Sequence, residues 1–170
     1  MLYKELSIDN FLCFDHFDIQ FAPGVSVVIG RNGAGKTTLI RAMVYSFYFM
    51  FTNDRSMGDD FLSAGNPDLK MRSIRYDEFH RWNDLNEVAA DANFHGQILF
   101  QGERIEWDMY RRSTSGSGLN PSRYRPAYQK LMSLYRQYDE LPLLAYFSDS
   151  FPHTPVSYTH LRAHETLANL

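Results

Sequence analysis

The residues best suited to chemistry form one glycine-rich segment, Gly30-Arg31-Asn32-Gly33-Ala34-Gly35-Lys36-Thr37. The segment matches the pattern G-x-x-x-x-G-K-[ST], in which successive backbone N–H groups point inward and surround phosphate oxygens. Glycines at these places allow a close approach of the main chain and the positive φ angles of a tight bend. The pattern therefore predicts a phosphate-binding loop. The alternative is a glycine turn that only joins two elements.

Side chains at the end of this segment have distinct expected roles. The Lys36 ammonium would lie against the β- and γ-phosphates, the Thr37 hydroxyl would bind Mg²⁺, and Thr38 can contact a more proximal phosphate. The expected ligand is thus a magnesium complex of a nucleoside triphosphate. The complete set of predicted nucleotide-binding residues is Gly30, Arg31, Asn32, Gly33, Ala34, Gly35, Lys36, Thr37 and Thr38.

The elements around the loop are those that such a site requires. Apolar and polar residues alternate over residues 6–8 and 17–21, which predicts an antiparallel pair of strands joined by NFLCF. Residues 25–29 (VSVVI) are apolar and rich in β-branched side chains, so we expect a strand buried on both faces. A helix should follow the loop, with its positive N-terminal end facing the anion. Its apolar stripe consists of Leu39, Ile40, Met43, Val44 and Phe47.

The rest of the chain predicts further strands and one more helix. Residues 52–67 look irregular, and residues 68–83 look loosely helical. Val88, Ala90, Ala92 and Phe94 alternate as in a strand, and residues 98–100 and 105–109 form a predicted hairpin. Pro126 suits the first turn of a helix that continues to Tyr138, and LPLLAYF at 141–147 looks like a buried strand.

Composition limits the class of protein. The chain has 170 residues, 44% of them hydrophobic and 22% charged, with a net charge of −3, so it can bury a core and has no overall basic field. Its single cysteine, Cys13, excludes an intrachain disulfide framework. No secretory signal is visible, and the most apolar window is shorter than the roughly 20 residues of a membrane helix. We therefore expect a cytoplasmic protein without a membrane partner.

The last residues have a different character. Residues 156–166 (VSYTHLRAHET) resemble the in-frame translation of a transposase-type sequencing-library adapter. We therefore expect residues 156–170 to be a non-native tail, with the gene cut near Pro155 and the parent protein longer. His160 and His164, although spaced like ligands on one helix face, are excluded from the functional interpretation for this reason. The alternative is a natural surface tail.

The loop and its flanks resemble a known family. From Glu5 to Met43 the sequence, ELSIDNFLCFDHFDIQFAPGVSVVIGRNGAGKTTLIRAM, is similar to the N-terminal part of the SMC, RecF and OLD-like branch of ABC-class ATPases, a group also called AAA family ATPases. The resemblance implies an α/β fold: a P-loop NTPase core with an antiparallel β-lobe, incomplete at the C-terminal end, over residues 1–155. Many relatives carry Lys or Arg where this chain has Leu12, so a basic contact from that turn is not expected.

The same resemblance implies a function. It implies binding of ATP and Mg²⁺, head-to-head association of two ATPase heads, and work on DNA with a partner nuclease, in DNA repair or anti-phage defence. Hydrolysis would need a Walker B pair and closure a signature loop. We interpret Asp139-Glu140 as a helix end and residues 113–118 (STSGSG) as a connector. No catalytic residue is therefore identified, and both elements are expected beyond this sequence.

Two alternative functions remain, an ABC transporter subunit and a nucleotide-binding fragment without catalytic activity. Smaller features also have two interpretations each. The residues around His80 and Trp82 suggest an acid–base cluster or a solvated helix face. Arg111, Arg112, Arg123 and Arg125 could contact DNA phosphate or be ordinary surface charge. Phe11 and Phe14 could stack on adenine or pack in the core, and Cys13 is interpreted as a small buried residue.

Overall fold

The computed structural model describes residues 1–51, 74–82, 87–114, 118–140, 142 and 144. Within these ranges the chain forms short strands, two helices and single turns of 3₁₀ helix. The strands are β1 (Leu2–Phe11), β2 (Phe14–Gln20), β3 (Arg81–Trp82), β4 (Glu87–Val88), β5 (Asp91–Phe100), β6 (Glu103–Asp108) and β7 (Arg111–Arg112). The helices are α1 (Lys36–Ser46) and α2 (Arg125–Tyr138), and the 3₁₀ turns are Phe47–Phe51, Tyr76–Glu78 and Pro121–Arg123.

The main sheet is antiparallel, with strand order β2-β1-β5-β6, and β7 pairs with the start of β5. Strand β1 therefore lies in the middle, with Leu6 opposite Ile19 on one side and Gly96 on the other. The predicted pair of strands at residues 6–21 is confirmed, and so is the hairpin, in which β5 and β6 meet at the turn Gln101–Gly102. Strands β3 and β4 form a separate two-stranded hairpin.

One face of the sheet is covered by the helices. The alternating side chains of Leu6, Ile8, Phe94 and Ile98, together with Ile105, Trp107 and Met109 of the returning strand, are all buried. Trp107 lies across Gly96, and its Nε1 donates a hydrogen bond to Ser46 O at the end of α1 (2.6 Å). The opposite face carries the polar residues of the same strands, because successive side chains of a strand point to opposite sides.

Both helices form where they are predicted, but the apolar stripe of α1 is only partly confirmed: Leu39 is buried, Met43 and Val44 are half-buried, and Ile40 is exposed. Helix α1 buries Leu39 and Ala42, with Phe47 and Phe49 of the next turn completing the contact with Trp107. Helix α2 has Pro126 in its first turn, as predicted, and buries Tyr128, Leu131 and Met132. It ends at Tyr138, and Asp139 caps it in the left-handed conformation (φ 54°), which confirms the helix-end interpretation of Asp139-Glu140.

The strand predicted at residues 25–29 is wrong. The structure leaves these residues without regular secondary structure, and Val25, Val27 and Ile29 are 93%, 75% and 89% exposed. A strand buried on both faces needs neighbouring strands to pair with, and none of the described strands lies beside this segment. The local sequence carries strand propensity, but propensity alone does not provide a hydrogen-bonding partner.

Other sequence predictions have mixed outcomes. The helix expected over residues 68–83 is wrong where the structure describes it, because residues 74–82 form a 3₁₀ turn and a short strand. The alternation from Val88 to Phe94 is interrupted, since Ala89 is buried and Ala90 exposed between β4 and β5. Residues 52–67, most of 141–147 and the tail 156–170 lie outside the described residues. The tail interpretation and the 1–155 boundary stay predictions. No helix in the described ranges is long and apolar enough to span a membrane.

Candidate nucleotide-binding site

The glycine-rich loop bends directly into helix α1. Gly33 and Gly35 have φ angles of 83° and 86°, in the left-handed region that glycine adopts without strain. Gly35 caps α1, and its carbonyl accepts the first helical hydrogen bond, from Leu39 N (2.8 Å). The loop-to-helix part of the predicted motif is therefore present, with the unpaired N–H groups of the helix start beside the bend.

Lys36 extends its ammonium group back over the bend. Its Nζ donates hydrogen bonds to Gly30 O (2.7 Å) and Arg31 O (2.8 Å), the first two residues of the loop. Within the loop, Ala34 N donates a backbone hydrogen bond to Arg31 O at 3.2 Å, which closes a turn over residues 31–34. A cation is thus placed in the hollow of the loop, where a bound phosphate would exchange these neutral acceptors for charged oxygens.

The electrostatics of the helix start favour an anion. The first turn of α1 contains no acidic residue, so nothing in it offsets the positive end of the helix dipole. Thr37 is exposed and Thr38 half-buried in this turn. Among the described residues there is no cluster of three or more His, Cys, Asp or Glu that could hold a metal ion.

The turn between β1 and β2 packs against the loop. A Cβ added to Gly35 would lie 2.7 Å from Phe14 Cζ and 3.0 Å from Cys13 Sγ. Cys13 is exposed, so its interpretation as a buried residue is wrong: it lies in the turn itself rather than on the core face of a strand. Phe11 is fully buried, which confirms its core role, whereas Phe14 is half-buried and stacks on Phe17 (4.7 Å).

Residues 75–80 form a second neighbour of that turn. They form a 3₁₀ turn and not the expected helix, although Arg75, Asp77, Arg81 and Trp82 are exposed, as the solvated-face interpretation predicts. The interpretation is wrong for Glu78. Glu78 is only 4% exposed, and it accepts hydrogen bonds from Arg75 N (2.8 Å) and Tyr45 Oη (3.2 Å). His80 contacts Leu12 of the β1–β2 turn. Sequence reasoning missed both roles, because charged and aromatic residues in this order are also typical of an exposed helix.

Three of the arginines flanking the small-residue loop lie in or beside β7 and Tyr110, at the end of the sheet where β7 pairs with β5. Arg111 and Arg112 form β7, and Leu119 returns to pair with Arg111. The Arg123 guanidinium lies over the ring of Tyr110 at 4.1 Å, a favourable cation–π arrangement. The fourth arginine of this group, Arg125, is the first residue of α2. The serines and glycine at 115–117, part of the segment interpreted as a connector, lie outside the described residues.

Two histidines on the polar sheet face pair with carboxylates. His95 Nδ1 lies 3.1 Å from Asp108 Oδ1, and this hydrogen bond is the main cause that raises the pKa of His95 and lowers the pKa of Asp108. His16 contacts Asp9 (2.6 Å) and Asp18 (2.9 Å), and the bond to Asp9 contributes most to raising its pKa. The pKa of Asp18 is lowered chiefly by its hydrogen bond from Ser7. Each histidine thus pairs with a carboxylate on the neighbouring strand.

A family model described as "AAA domain" matches residues 5–144. Among curated proteins, the chain is 34% identical over 65 residues to the DNA double-strand break repair Rad50 ATPase of Saccharolobus solfataricus, covering 38% of this chain and 7% of the relative. It is 26% identical over 111 residues to the Rad50 ATPase of Pyrococcus abyssi, covering 65% of this chain and 10% of that one. DNA repair protein RecN of Rickettsia prowazekii is 32% identical over 53 residues, which are 31% of this chain and 10% of RecN.

Solved structures give the same fold. A structure from work on "ATP-driven dimerization and DNA stimulated activation of SMC ATPases" has a TM-score of 0.50 at 14% identity, covering 78% of this chain and 79% of that chain. The SmcHead bound to the C-winged helix domain of ScpA also has a TM-score of 0.50, at 16% identity, covering 78% of this chain and 40% of that one. The resemblance to SMC- and RecF-like ATPases is confirmed, and the fold is that of SMC ATPase heads.

Proposed function

The chain belongs to the AAA domain family, and from this premise we propose that it is the N-terminal, nucleotide-binding part of an SMC- or Rad50-like ATPase head. The observation that carries the proposal is the loop at residues 30–36, which bends through two left-handed glycines and encloses the Lys36 ammonium at the start of α1. Backbone amides, a helix N-terminus and one cation in a single hollow bind a polyphosphate well.

Each loop residue has a role in the proposed complex. Residues 30–35 supply the backbone amides that surround the β-phosphate, and Lys36 leaves its loop carbonyls to contact the β- and γ-phosphates. Thr37 contributes its hydroxyl to Mg²⁺, and Thr38 binds a more proximal phosphate. The magnesium ion, when bound, neutralises charge on the triphosphate. The absence of acidic residues from the first turn of α1 supports this assignment.

The activity of the whole protein is a wider proposal. The chain spans 7% to 10% of the length of the curated relatives described above. We propose that the whole protein hydrolyses ATP in the cytoplasm, associates head to head and acts in DNA repair, with a nuclease as partner. The Rad50 and RecN relatives support a DNA repair ATPase over a transporter subunit. The 170-residue chain, in which no Walker B pair is recognised, is expected to hydrolyse little or no ATP.

The test is nucleotide binding by this chain, measured by titration calorimetry with ATP and Mg²⁺. We expect binding by the unmodified chain and a loss of at least about a hundredfold in affinity for Lys36→Ala, since a charge-assisted contact to a triphosphate is removed. Lys130→Ala is the matched control, because Lys130 bonds Glu103 and Arg104 O away from the loop. Equal binding by Lys36→Ala and the unmodified chain would contradict the proposal.

A second proposal concerns DNA. The arginines of β7 and Arg123 lie at one end of the sheet, and Arg123 is held in place by the Tyr110 ring. We propose that this arginine cluster (Arg111, Arg112 and Arg123) contacts the phosphate backbone of DNA. Such contacts position DNA without reading its sequence.

Salt dependence distinguishes this surface from ordinary charge. Replacing Arg111, Arg112 and Arg123 with Gln should weaken duplex binding and reduce the slope of log K against log salt by about 0.9 for each phosphate that the protein no longer neutralises. A control with Lys4, Arg41 and Arg136 changed to Gln removes the same net charge elsewhere. If both triple variants change the slope equally, the arginine cluster has no special role.

A further inference from the structure

The β1–β2 turn beside the nucleotide loop has a conformation that its residues do not favour. Asn10 and Leu12 have φ angles of 56° and 51°, in the left-handed region. Asn tolerates this region, but a leucine there is uncommon because its Cβ approaches a carbonyl oxygen. Such a turn persists when contacts from other parts of the chain determine its shape.

Those contacts come from residues 78–80, which we name the 78–80 brace. Leu12 N donates to Glu78 O at 2.8 Å, and the His80 ring donates from Nδ1 to Leu12 O at 2.8 Å. The tautomer is fixed, because a carbonyl oxygen can only accept a hydrogen bond. His80 N also donates to Asn10 O at 2.9 Å. Both backbone polar groups of Leu12 are therefore bound to the brace.

The brace is fastened to the helix that begins at the loop. The Glu78 carboxylate is 4% exposed and accepts a hydrogen bond from Tyr45 Oη, which lies on α1. Between Glu78 and His80, Phe79 is buried and pairs with Phe11 as an isolated antiparallel bridge. Movement of the brace relative to α1 would break this partly buried hydrogen bond.

The turn transmits this restraint to the loop. Cys13 and Phe14 follow Leu12 directly, and both contact Gly35 at the bend. The contacts therefore form a closed path. It runs from Gly35 to the β1–β2 turn, from the turn to the 78–80 brace, from the brace to Tyr45, and along α1 back to the loop. We propose that His80 is a positioning residue that holds the nucleotide loop in its binding shape through Leu12, without touching the nucleotide. This inference rests on the proposed function, nucleotide binding by the loop.

The first experiment compares His80→Leu with His80→Asn. The Asn side chain can place its amide nitrogen where Nδ1 of His80 lies and keep the bond to Leu12 O, whereas Leu cannot. We expect His80→Leu to bind ATP about fivefold more weakly, and His80→Asn to bind within about twofold of the unmodified chain, because one net hydrogen bond is removed or kept. Thermal unfolding is measured in parallel, since a merely structural role would lower the Tm without changing ATP affinity at low temperature.

The second experiment uses a matched pair of tyrosines, in case His80→Leu does not fold. Tyr45→Phe and Tyr110→Phe each remove one hydroxyl that donates to a carboxylate, at Glu78 and at Asp91 respectively. We expect only Tyr45→Phe to weaken ATP binding, by about threefold.

The outcomes separate the two claims. If the unmodified chain binds no ATP, the proposed function and this inference both fail. If it binds ATP, and His80→Leu and Tyr45→Phe bind equally well, only the inference is overturned. Weakened binding by His80→Leu with recovery in His80→Asn supports the positioning role.

Discussion

His95 on β5 and Asp108 on β6 lie directly opposite each other in the sheet, with His95 Nδ1 and Asp108 Oδ1 3.1 Å apart. Asn93 donates to the same carboxylate oxygen at 3.1 Å. The hydrogen bond raises the pKa of His95 and lowers that of Asp108, with Glu106 and Glu5 raising the first and Arg123 lowering the second. Each member of the pair therefore stabilises the charged form of the other.

The pair predicts a stability that depends on pH. A raised His pKa gives a contribution that is complete below about pH 6.5 and is lost as pH rises through the folded-state value. A lowered Asp pKa gives a contribution to stability that is present above about pH 3.9 and is lost as the pH falls through the folded-state pKa. Asp108→Asn should therefore reduce the free energy of unfolding most near about pH 5.5 and less at about pH 8.5. Urea unfolding at both pH values measures this difference, and an equal loss at both would contradict the coupling.

Alanine substitutions at the two left-handed glycines of the loop separate the effect of backbone strain on ATP binding from the effect of a steric clash. An alanine Cβ at Gly33 meets nothing within 4 Å, so Gly33→Ala adds only the cost of a positive φ, about 1–2 kcal/mol. Gly35→Ala adds a clash with Phe14 and Cys13. We expect ATP affinity to fall for both variants and further for Gly35→Ala, as measured by calorimetry. Equal losses would show that the contact with the turn is unimportant.

Gly96 is required by the position of Trp107. A Cβ at residue 96 would lie against Trp107 Cζ2, closer than any ordinary contact, and moving the indole would break its hydrogen bond to Ser46 O. Gly96→Ala should lower the free energy of unfolding by about 2 kcal/mol, a typical cost of overpacking. Gly118→Ala is the control, because a Cβ there meets open space. Chemical denaturation should show a change only for Gly96→Ala, and a stable Gly96→Ala chain would mean that the indole repacks freely.

Cys13 offers a direct report on occupancy of the loop. Its exposed Sγ lies beside Gly35, and the chain has no other cysteine. We expect ATP with Mg²⁺ to slow alkylation of Cys13 by a maleimide severalfold, because a triphosphate over the bend would cover the thiol. Mass spectrometry follows the reaction, and adenosine, which lacks phosphates, should give no protection. An unchanged alkylation rate at saturating ATP would place the nucleotide elsewhere.

Sequence reasoning succeeded where a pattern is local. Alternation at residues 6–21 and 98–109 defines strands and their buried faces over a few positions. The bend from the glycine-rich loop into α1 likewise follows from adjacent residues, and nucleotide binding by that loop stays a prediction. Sequence reasoning failed where the outcome depends on distant partners. The buried Glu78 accepts a hydrogen bond from Tyr45, which is 33 positions earlier in the chain. His80 forms a hydrogen bond with Leu12, which is 68 positions away. Nothing within residues 74–82 indicates either contact.

The open stretch just ahead of the nucleotide loop has a consequence for how cells handle this polypeptide. Val25, Val27 and Ile29 present aliphatic side chains to water in a segment without regular secondary structure. Holdase chaperones and other partly folded chains capture segments of this kind. The rate at which chaperones bind such a stretch would therefore help to set how much of the protein escapes aggregation.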